Sequence, residues 1–356
     1  MKKLWIAAGA AALAALLCAC STNVKNPLPS AGNATPEVSA CVSDYFPVHS
    51  NSRLVYQGEG NDSASYEVCT DYARDGRQQQ RIITDGTISV RVIDTSENEA
   101  AVVFAQGDTA YRQNVLDQTS GTPETLLRTP LIAGTAWLPD GPRTRTITGT
   151  GMRLDTPLGA YDAIEVTTEG PYGKTMDYYA KGIGLIKTSC VSDSGSVTSV
   201  LAKIEEGVPL VQTVRFYFPD VETGQLRYGD RDVRFYTNDS TRDVLAKAYR
   251  EPAPDYLGQV FSSGTQINSL YLNKDGMVYI DLNKAFQKEM NAGAAVESMI
   301  LQCVANTFGH YYGASHVLLT VDGQSYDSGH ISLAPGESLT VDDADVNAAA
   351  AWAEGE

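Results

Sequence analysis

The amino-acid sequence predicts an α+β protein, with an all-β antiparallel meander domain first and a smaller α+β domain after it. Two patterns carry this prediction. From about residue 53 to 205, short stretches of alternating apolar and polar residues recur between Gly, Asp and Asn clusters, and helical periodicity is nearly absent. From about residue 294 to 308, apolar residues instead recur at helical spacing.

The first 40 residues are interpreted as an export signal followed by a tether. Lys2 and Lys3 precede an alanine-rich apolar stretch of about 15 residues, shorter than the roughly 20 that a helix needs to cross a bilayer. Residues 1–19 are therefore predicted to be a lipoprotein signal peptide. Residues 20–40 are rich in Asn, Pro, Ser and Gly, which predicts a flexible tether that spans roughly 60 Å when extended.

The run Leu17-Cys18-Ala19-Cys20 resembles the bacterial lipobox, with a large aliphatic residue three places before the modified cysteine. The resemblance implies a diacylglyceryl thioether on Cys20 and anchoring to the extracytoplasmic face of the cell membrane. Modification at Cys18 is a second interpretation. An ordinary cleaved signal, which would leave a soluble secreted protein, is a third.

Composition bounds the remaining chain. About 315 residues follow Cys41, which is comfortable for two domains. Loss of Lys2 and Lys3 with the leader takes the formal net charge from -16 to -18. Because the chain has no basic patch to neutralise phosphates, we do not expect it to bind nucleic acid, or to adhere to anionic lipid by charge.

Four cysteines besides the predicted lipid-bearing one follow the leader, namely Cys41, Cys69, Cys190 and Cys303. They form no CxxC pair, so the sequence predicts no zinc site. A disulfide is chemically permitted outside the cytoplasm. Cys69 with Cys190, or Cys41 with either, are the candidate pairings, and free thiols throughout are equally compatible with the sequence. Cys303 lies on the apolar stripe of the predicted helix, which indicates a core thiol.

The first domain is assigned to residues 41–206. Its predicted strands include 53–56, 88–93, 101–104, 162–167, 175–179 and 184–187. Their alternation is typical of a sheet with one buried and one wet face, and we expect this sheet to be strongly curved. The domain ends near Glu206-Gly-Val-Pro209, where charge, Gly and Pro interrupt the pattern.

The second domain opens with predicted strands at 213–218, stopping at Pro219-Asp220, and at 232–236. A helix over 241–250 follows, capped by Asp239 or Ser240. The stretches 265–272 and 277–282 predict a hairpin across Asn273-Lys-Asp-Gly276, in which the Asp-Gly pair is expected to supply the positive φ angles. A plain turn is favoured there over a calcium loop. The amphipathic helix at 294–308 and a core strand at 316–321 complete the pattern.

Five segments in order resemble the GerMN domain family of sporulation and germination lipoproteins. They are Val214-Arg-Phe-Tyr-Phe-Pro-Asp220, Val278-Tyr-Ile-Asp-Leu282, Asn306-Thr307-Phe308, Val317-Leu-Leu-Thr-Val-Asp-Gly323 and Gly329-His-Ile-Ser-Leu333. The resemblance covers about 211–341. It implies an extracytoplasmic α+β interaction module, similar to ring-building folds of secretion and sporulation machinery, without a known catalytic centre. Four parts of residues 41–206 also resemble an N-terminal module of Firmicutes envelope lipoproteins, namely Tyr45-Phe46-Pro47, Tyr56-Gln-Gly-Glu-Gly-Asn61, 127–134 with Trp137, and 177–187.

The sequence contains no recognisable catalytic motif. It contains no HExxH, no Gly-x-Ser-x-Gly elbow and no Gly-rich phosphate loop, so we expect no enzyme, no cofactor and no metal. His310 and His316 bracket a predicted turn and are interpreted as helix-end and surface residues. The family-like polar positions Asn306, Thr307, Asp322 and Gly323 are interpreted as structural, and no ligand-binding residue is named. Residues 342–356 are expected to be a frayed or weakly helical acidic tail.

Two functions from different classes remain. The first is a membrane-anchored, non-catalytic scaffold that joins envelope protein partners, in sporulation or spore germination. The alternative is a carrier or sensor that holds an envelope lipid or a cell-wall fragment in the curved β domain. A concave pocket in that domain would favour the carrier, and a solid packed sheet would exclude it.

Overall fold

A computed structural model describes residues 40–61, 64–139, 141, 143–170, 173–193, 195–344 and 346–350. The predicted signal peptide, Cys20 and all of the tether except Ala40 lie outside the described residues. The described chain forms two compact units. The first contains residues 40–109 and 114–208, and the second contains residues 110–113 and everything from Pro209 onward.

The first unit is an antiparallel sheet preceded by a 3-10 turn at Val42–Tyr45. Its strands are β1 (Ser52–Glu59), β2 (Tyr66–Arg74), β3 (Arg77–Thr84), β4 (Ile88–Thr95), β5 (Glu99–Gln106), β6 (Glu124–Arg128), β7 (Ala136–Trp137), β8 (Thr144–Thr156), β9 (Gly159–Gly170), β10 (Gly173–Ala180), β11 (Gly184–Ser192) and β12 (Gly195–Glu206). Each strand predicted from alternation lies within one of these.

The strands run in the order β6-β5-β4-β3-β2-β1-β12-β11-β10-β9-β8-β7. The sheet is therefore two six-stranded meanders joined where β1 pairs with β12. Register shifts fall between Val55 and Tyr56 and between Tyr178 and Tyr179, with others along the ladders. Such bulges bend strands and increase local twist, so they curve the sheet.

The curvature brings the two end regions of the sheet together. Thr125 lies in the end strand β6, and its carbonyl accepts hydrogen bonds from the other end. Trp137 in β7 donates from Nε1 at 3.0 Å, and Arg145 in β8 donates from Nη1 at 2.6 Å. Because these side chains span the gap between edges, the sheet wraps around an interior.

The second unit is α+β. Its elements are β13 (Leu210–Asp220), β14 (Gln225–Phe235), α1 (Thr241–Arg250), β15 (Ile267–Leu272), β16 (Val278–Leu282), α2 (Ala285–Lys288), α3 (Ala294–Tyr312), β17 (His316–Val321), β18 (Gln324–Ser325), β19 (Leu339–Thr340) and β20 (Asn347–Ala348). One sheet has the order β13-β14-β20. The other has the order β15-β16-β17-β18, with β19 paired to β17.

Helix α3 connects the parallel strands β16 and β17, as a crossover between parallel strands requires. The predicted apolar stripe is confirmed, since Ile300, Cys303, Val304 and Phe308 are all buried. The helix ends at Tyr312, and the left-handed φ of 68° at the following Gly313 suits a residue without a Cβ. Among the described residues, none of the helices has the length and apolar character needed to span a membrane.

Three details of the second unit differ from the sequence predictions. Strand β13 continues through Pro219 instead of stopping there. It is an edge strand of its sheet, so the missing amide of proline costs no ladder bond. Ser240 occupies the N-cap of α1 without a side-chain cap, and the carboxylate of Asp239, the other predicted cap, accepts from the Tyr236 amide at 2.8 Å instead. In the β15–β16 turn, Gly276 alone has a positive φ.

The acidic tail was predicted wrongly over its described part, 342–344 and 346–350. Asn347 and Ala348 form β20, which pairs parallel with Arg227 and Tyr228 of β14. The amide of Ala349 donates to the Tyr228 carbonyl at 2.9 Å, and Ala349 is buried. Tertiary pairing therefore orders a segment whose composition suggested fraying.

Residues 110–113 belong to the second unit although they lie between β5 and β6. Arg112 is fully buried there. Its Nη1 donates to the Asp239 carbonyl and to Thr241 Oγ1 at 3.0 Å, and its Nη2 donates to the Tyr236 carbonyl at 3.1 Å. These bonds fix the segment leading into α1.

Candidate functional site

The concave side of the first unit encloses a cavity of about 290 Å³. Side chains from β1 to β6 line it together with side chains from β8, β10 and β11, and residues of the segment 45–49 complete the lining. The volume lies near the lower end of the roughly 300–1,000 Å³ of small-molecule sites. The interior of this sheet is therefore hollow enough to admit a small ligand.

Aromatic rings form much of the cavity wall. Tyr56 and Tyr66 stack with their centroids 4.4 Å apart, and Phe46 packs on Tyr179 at 5.2 Å. Burial raises the pKa of Tyr56 and Tyr179 above the ordinary tyrosine value, so both hydroxyls stay protonated. Tyr56 donates to the Leu185 carbonyl at 2.8 Å. These rings give their part of the wall an apolar surface with hydroxyl groups at fixed points.

Asp177 in β10 brings a carboxylate to this cavity. Thr188 Oγ1 donates to its Oδ1 at 2.7 Å. Burial raises the pKa of Asp177, and this outweighs the Thr188 hydrogen bond and the positive charges of Arg145 and Arg91. Asp177 retains accessible surface although the fold encloses it, because the cavity lies against it. Within the described chain it makes no ion pair.

Arg91 in β4 brings a guanidinium to the same cavity. Its Nε and Nη2 donate to Gln80 Oε1 at 3.0 and 2.8 Å. Gln80 donates in turn to Gln78 Oε1 at 3.1 Å, and Gln78 donates to the Phe46 carbonyl at 3.2 Å. This chain orients the guanidinium, but its acceptor is neutral. Among the residues the structure describes, no carboxylate pairs with Arg91.

Two further charged residues of the lining, Arg145 and Glu124, form an ion pair. Arg145 Nη2 donates to Glu124 Oε1 at 2.8 Å, and its Nε donates to Thr168 Oγ1 at 2.8 Å. Together with the bond to the Thr125 carbonyl, these contacts employ all three nitrogens of the guanidinium. Arg145 therefore holds the sheet edges together, and its charge is matched inside the protein.

His49 is the histidine of the lining, and its Nε2 lies 2.9 Å from the Ile183 carbonyl. Within the described residues, no group of His, Cys, Asp and Glu side chains is placed to hold a metal ion. Beside the Arg145–Glu124 ion pair, the lining therefore presents one acidic group, Asp177, and one basic group, Arg91, that make no ion pair within the described residues.

The family-like polar residues of the second unit are not part of the lining of this cavity, and their side chains bond other segments of the second unit. Asn306 in α3 donates to the Asp342 carbonyl at 2.6 Å and accepts from the Asp342 amide at 2.9 Å. Thr307 Oγ1 accepts from the Tyr217 amide and donates to Tyr249 Oη, each at 3.1 Å. Both residues satisfy backbone groups, though of neighbouring strands and segments instead of the helix end.

Asp322 and Gly323 turn the chain between β17 and β18, with φ of 48° and 74°. A two-residue turn of this kind requires positive φ at both positions. His310 Nε2 lies 3.0 Å from Asp343 Oδ2, and His316 is exposed at the start of β17. These residues occupy the turn, helix-end and surface positions expected from the sequence.

All four described cysteines are free thiols. Cys69 in β2 and Cys190 in β11 are separated by β1 and β12, which places them roughly 14 Å apart across the sheet. A disulfide requires Cα atoms within about 7 Å, so this pairing does not form. Burial raises the pKa of Cys69 to about 11 and that of Cys303 well above its ordinary value.

Sequence reasoning missed the cavity residues. Asp177 and Tyr179 share one face of a predicted strand, and their alternation was visible. The signal that would have singled them out is a charged residue beside aromatic residues on the face that should be buried. Without knowing how the strands curl, that face cannot be distinguished from the wet one.

A second surface feature lies in the second unit, on the face of β15, β16 and β17 that carries Tyr271, Tyr279 and Asp281. The two tyrosine rings stack at 5.5 Å. Asp281 accepts from Thr320 Oγ1 at 2.6 Å and from the Gly323 amide at 2.7 Å. Partial burial opposes its charged form, but these hydrogen bonds prevail and lower the pKa of Asp281. The face combines exposed aromatic surface with a fixed negative charge.

Comparisons with known proteins identify a family for part of the second unit. A family model described as Germane, sporulation and spore germination, matches residues 215–327. Comparison with curated proteins gives no match. Among solved structures, the tandem GerMN domains of the Bacillus subtilis sporulation protein GerM are 18% identical with a TM-score of 0.29. The alignment covers 37% of this chain and 46% of that one, so this chain spans about half of that structure.

Two further structures are similar at the same level. A candidate exported protein with a YmcC-like fold from Bacteroides fragilis is 13% identical, covering 46% of this chain and 99% of its own, with a TM-score of 0.28. A candidate lipoprotein from Clostridium perfringens is 17% identical, covering 38% and 89%, with a TM-score of 0.23. The spaced motifs predicted the family correctly: residues 215–327 of this chain match the sporulation and spore germination family.

Proposed function

We propose that this chain is a lipid-anchored, extracytoplasmic protein that acts as a non-catalytic protein-interaction component of the cell envelope in sporulation or spore germination. The match of residues 215–327 to the sporulation and spore germination family is the observation that carries the proposal. The export signal and the lipobox-like run ending in Cys20 support the location.

The tyrosine-bearing face of the second unit supports protein binding. Tyr271 is 39% exposed although it stacks on Tyr279, so apolar ring surface remains in water. Tyrosine is enriched in protein interfaces because its large ring loses little conformational entropy on burial. Asp281 supplies a charge beside the rings that a complementary partner, an envelope protein with a basic group, would meet.

Cross-linking in membranes tests this proposal. The full chain, tagged and cross-linked in sporulating and vegetative cells, is expected to recover the same envelope protein repeatedly. Tyr271→Ala is expected to reduce this recovery, whereas the matched variant Tyr161→Ala in the first unit leaves it unchanged. Cys20→Ala is expected to release the chain from the membrane fraction. Failure to recover an envelope protein under either condition would refute the scaffold role.

The cavity favours a second candidate function, an envelope carrier or sensor. A solid interior would have excluded it, and the first unit instead encloses about 290 Å³ with aromatic and charged lining. Native mass spectrometry of the full chain, released gently from membranes, is expected to show a bound small molecule. An unliganded mass together with no binding from a membrane extract would argue against this function.

A further inference from the structure

We infer that the cavity of the first unit binds a small zwitterion, an amino acid or a short peptide, with its carboxylate on Arg91 and its ammonium group on Asp177. The inference rests on the carrier function proposed above and names its ligand class. Both side chains line one cavity, whose lining also includes aromatic, aliphatic and other polar residues.

Among the described residues, the charged groups of Arg91 and Asp177 have only neutral hydrogen-bonding partners. An enclosed charge is costly unless an opposite charge or several hydrogen bonds compensate it. Arg91 contacts the neutral Gln80, and Asp177 accepts from the neutral Thr188. Across the described part of the chain, neither of the two makes an ion pair. A ligand with one group of each sign would compensate both.

The buried charged side chains of the same unit behave differently from Arg91 and Asp177. Arg81 and Asp71 are each 1% exposed, and their side chains form an ion pair at 3.0 Å. Arg145 is matched by Glu124 at 2.8 Å. This unit therefore pairs its buried charges where their role is structural. Arg91 and Asp177, which are partly buried beside the cavity, form no such pair within the described residues.

The remaining lining decides between ligand classes. The stacked Tyr56 and Tyr66 and the aliphatic Ile93 and Leu126 offer surface for an apolar side chain. A fatty chain would cover that surface but leave both charges without partners. A neutral sugar would offer hydroxyl groups but no charge. A cavity of about 290 Å³ suits a molecule of one or two residues.

Isothermal titration of the full chain in detergent tests the inference, with alanyl-alanine in L,L and D,D forms, leucine, N-acetylglucosamine and palmitate as probes. At least one zwitterion is expected to bind. N-acetylation, which removes the ammonium charge, and C-amidation, which removes the carboxylate, are each expected to weaken it about tenfold or more. Arg91→Gln and Asp177→Asn are expected to cause similar losses.

The combination of variants and blocked ligands identifies each contact. Arg91→Gln is expected to bind the C-amide as well as the free zwitterion, and Asp177→Asn is expected to bind the N-acetyl form as well as the free zwitterion. Arg153→Gln and Asp162→Asn serve as matched controls, because these side chains are 64% and 71% exposed and lie outside the lining. Both controls are expected to retain full affinity.

The outcomes separate this inference from the function beneath it. Binding of palmitate or N-acetylglucosamine without any zwitterion would overturn the ligand class and leave the carrier function standing. Binding of none of the probes, with an unliganded mass for the protein from membranes, would overturn both. Zwitterion binding that is insensitive to Arg91→Gln and Asp177→Asn would overturn the assigned contacts.

Discussion

Replacing Thr307 by valine is expected to lower the free energy of opening the second unit by about 3–5 kcal/mol. Thr307 is 1% exposed, and its hydroxyl is bonded to Tyr217 and Tyr249. Tyr249 Oη donates to the Tyr217 carbonyl at 2.7 Å. The two hydroxyls together therefore satisfy both outward backbone groups of Tyr217 on the edge strand β13.

The magnitude follows from what valine removes. Valine has nearly the same shape as threonine, so packing is retained and two hydrogen bonds, each worth about 1 kcal/mol, are lost. The Tyr217 amide then stays buried without an acceptor, which adds roughly 1–3 kcal/mol. Thr307→Ser is the control, because it keeps the hydroxyl and removes one methyl group, at a cost of about 1 kcal/mol.

Native-state hydrogen exchange of peptides covering β13 and α3 measures this opening free energy directly. Thr307→Val is expected to accelerate exchange in both, and Thr307→Ser much less. The reasoning would be refuted if valine cost less than about 0.5 kcal/mol, or if serine cost as much as valine.

Three further predictions concern the first unit, the tail and the thiols. Asp177→Asn is expected to stabilise the first unit at neutral pH, because the wild-type protein is most stable with Asp177 protonated, below the ordinary pKa of 3.8, and loses stability as pH rises through the raised pKa. Urea unfolding should show that the difference in unfolding free energy between variant and wild type shrinks towards about pH 3, and a difference that does not change with pH would contradict the prediction. Asn306→Asp puts an acceptor against the Asp342 carbonyl, so proteolysis of the tail should become faster, with a loss of about 2 kcal/mol, whereas an unchanged rate would show that Asn306 does not hold the tail. Iodoacetamide should label the partly exposed Cys41 in the native chain before the buried Cys303, as mass spectrometry of the peptides would show; equal rates would contradict the burial argument.

The elements with strong internal periodicity could be predicted from sequence. Helix α3 repeats its apolar residues at helical spacing, and the β15–β16 hairpin alternates on either side of a turn ending in Gly276. Local patterns suffice there, because the buried face is set by spacing within one segment. The order and spacing of the motifs between residues 211 and 341 likewise predicted the family correctly.

Features that depend on distant partners could not be predicted. Strand β20 consists of two residues in an alanine-rich segment, and it forms only because β14 offers an unpaired edge. The cavity is harder still, because Arg91 and Asp177 lie 86 positions apart and meet only through the curl of the sheet. Alternation reports that a strand has two faces, but not which face encloses a space.

The buried guanidinium of Arg112 bears on how this protein can be taken apart. A fragment cut from Pro209 onward would lack it, and the carbonyls of Tyr236 and Asp239 would lose their donor at the start of α1. A fragment that begins at Pro209 therefore lacks part of the second unit, namely residues 110–113. Genetic dissection or domain grafting would have to carry residues 110–113 along, for example as a short peptide supplied in trans.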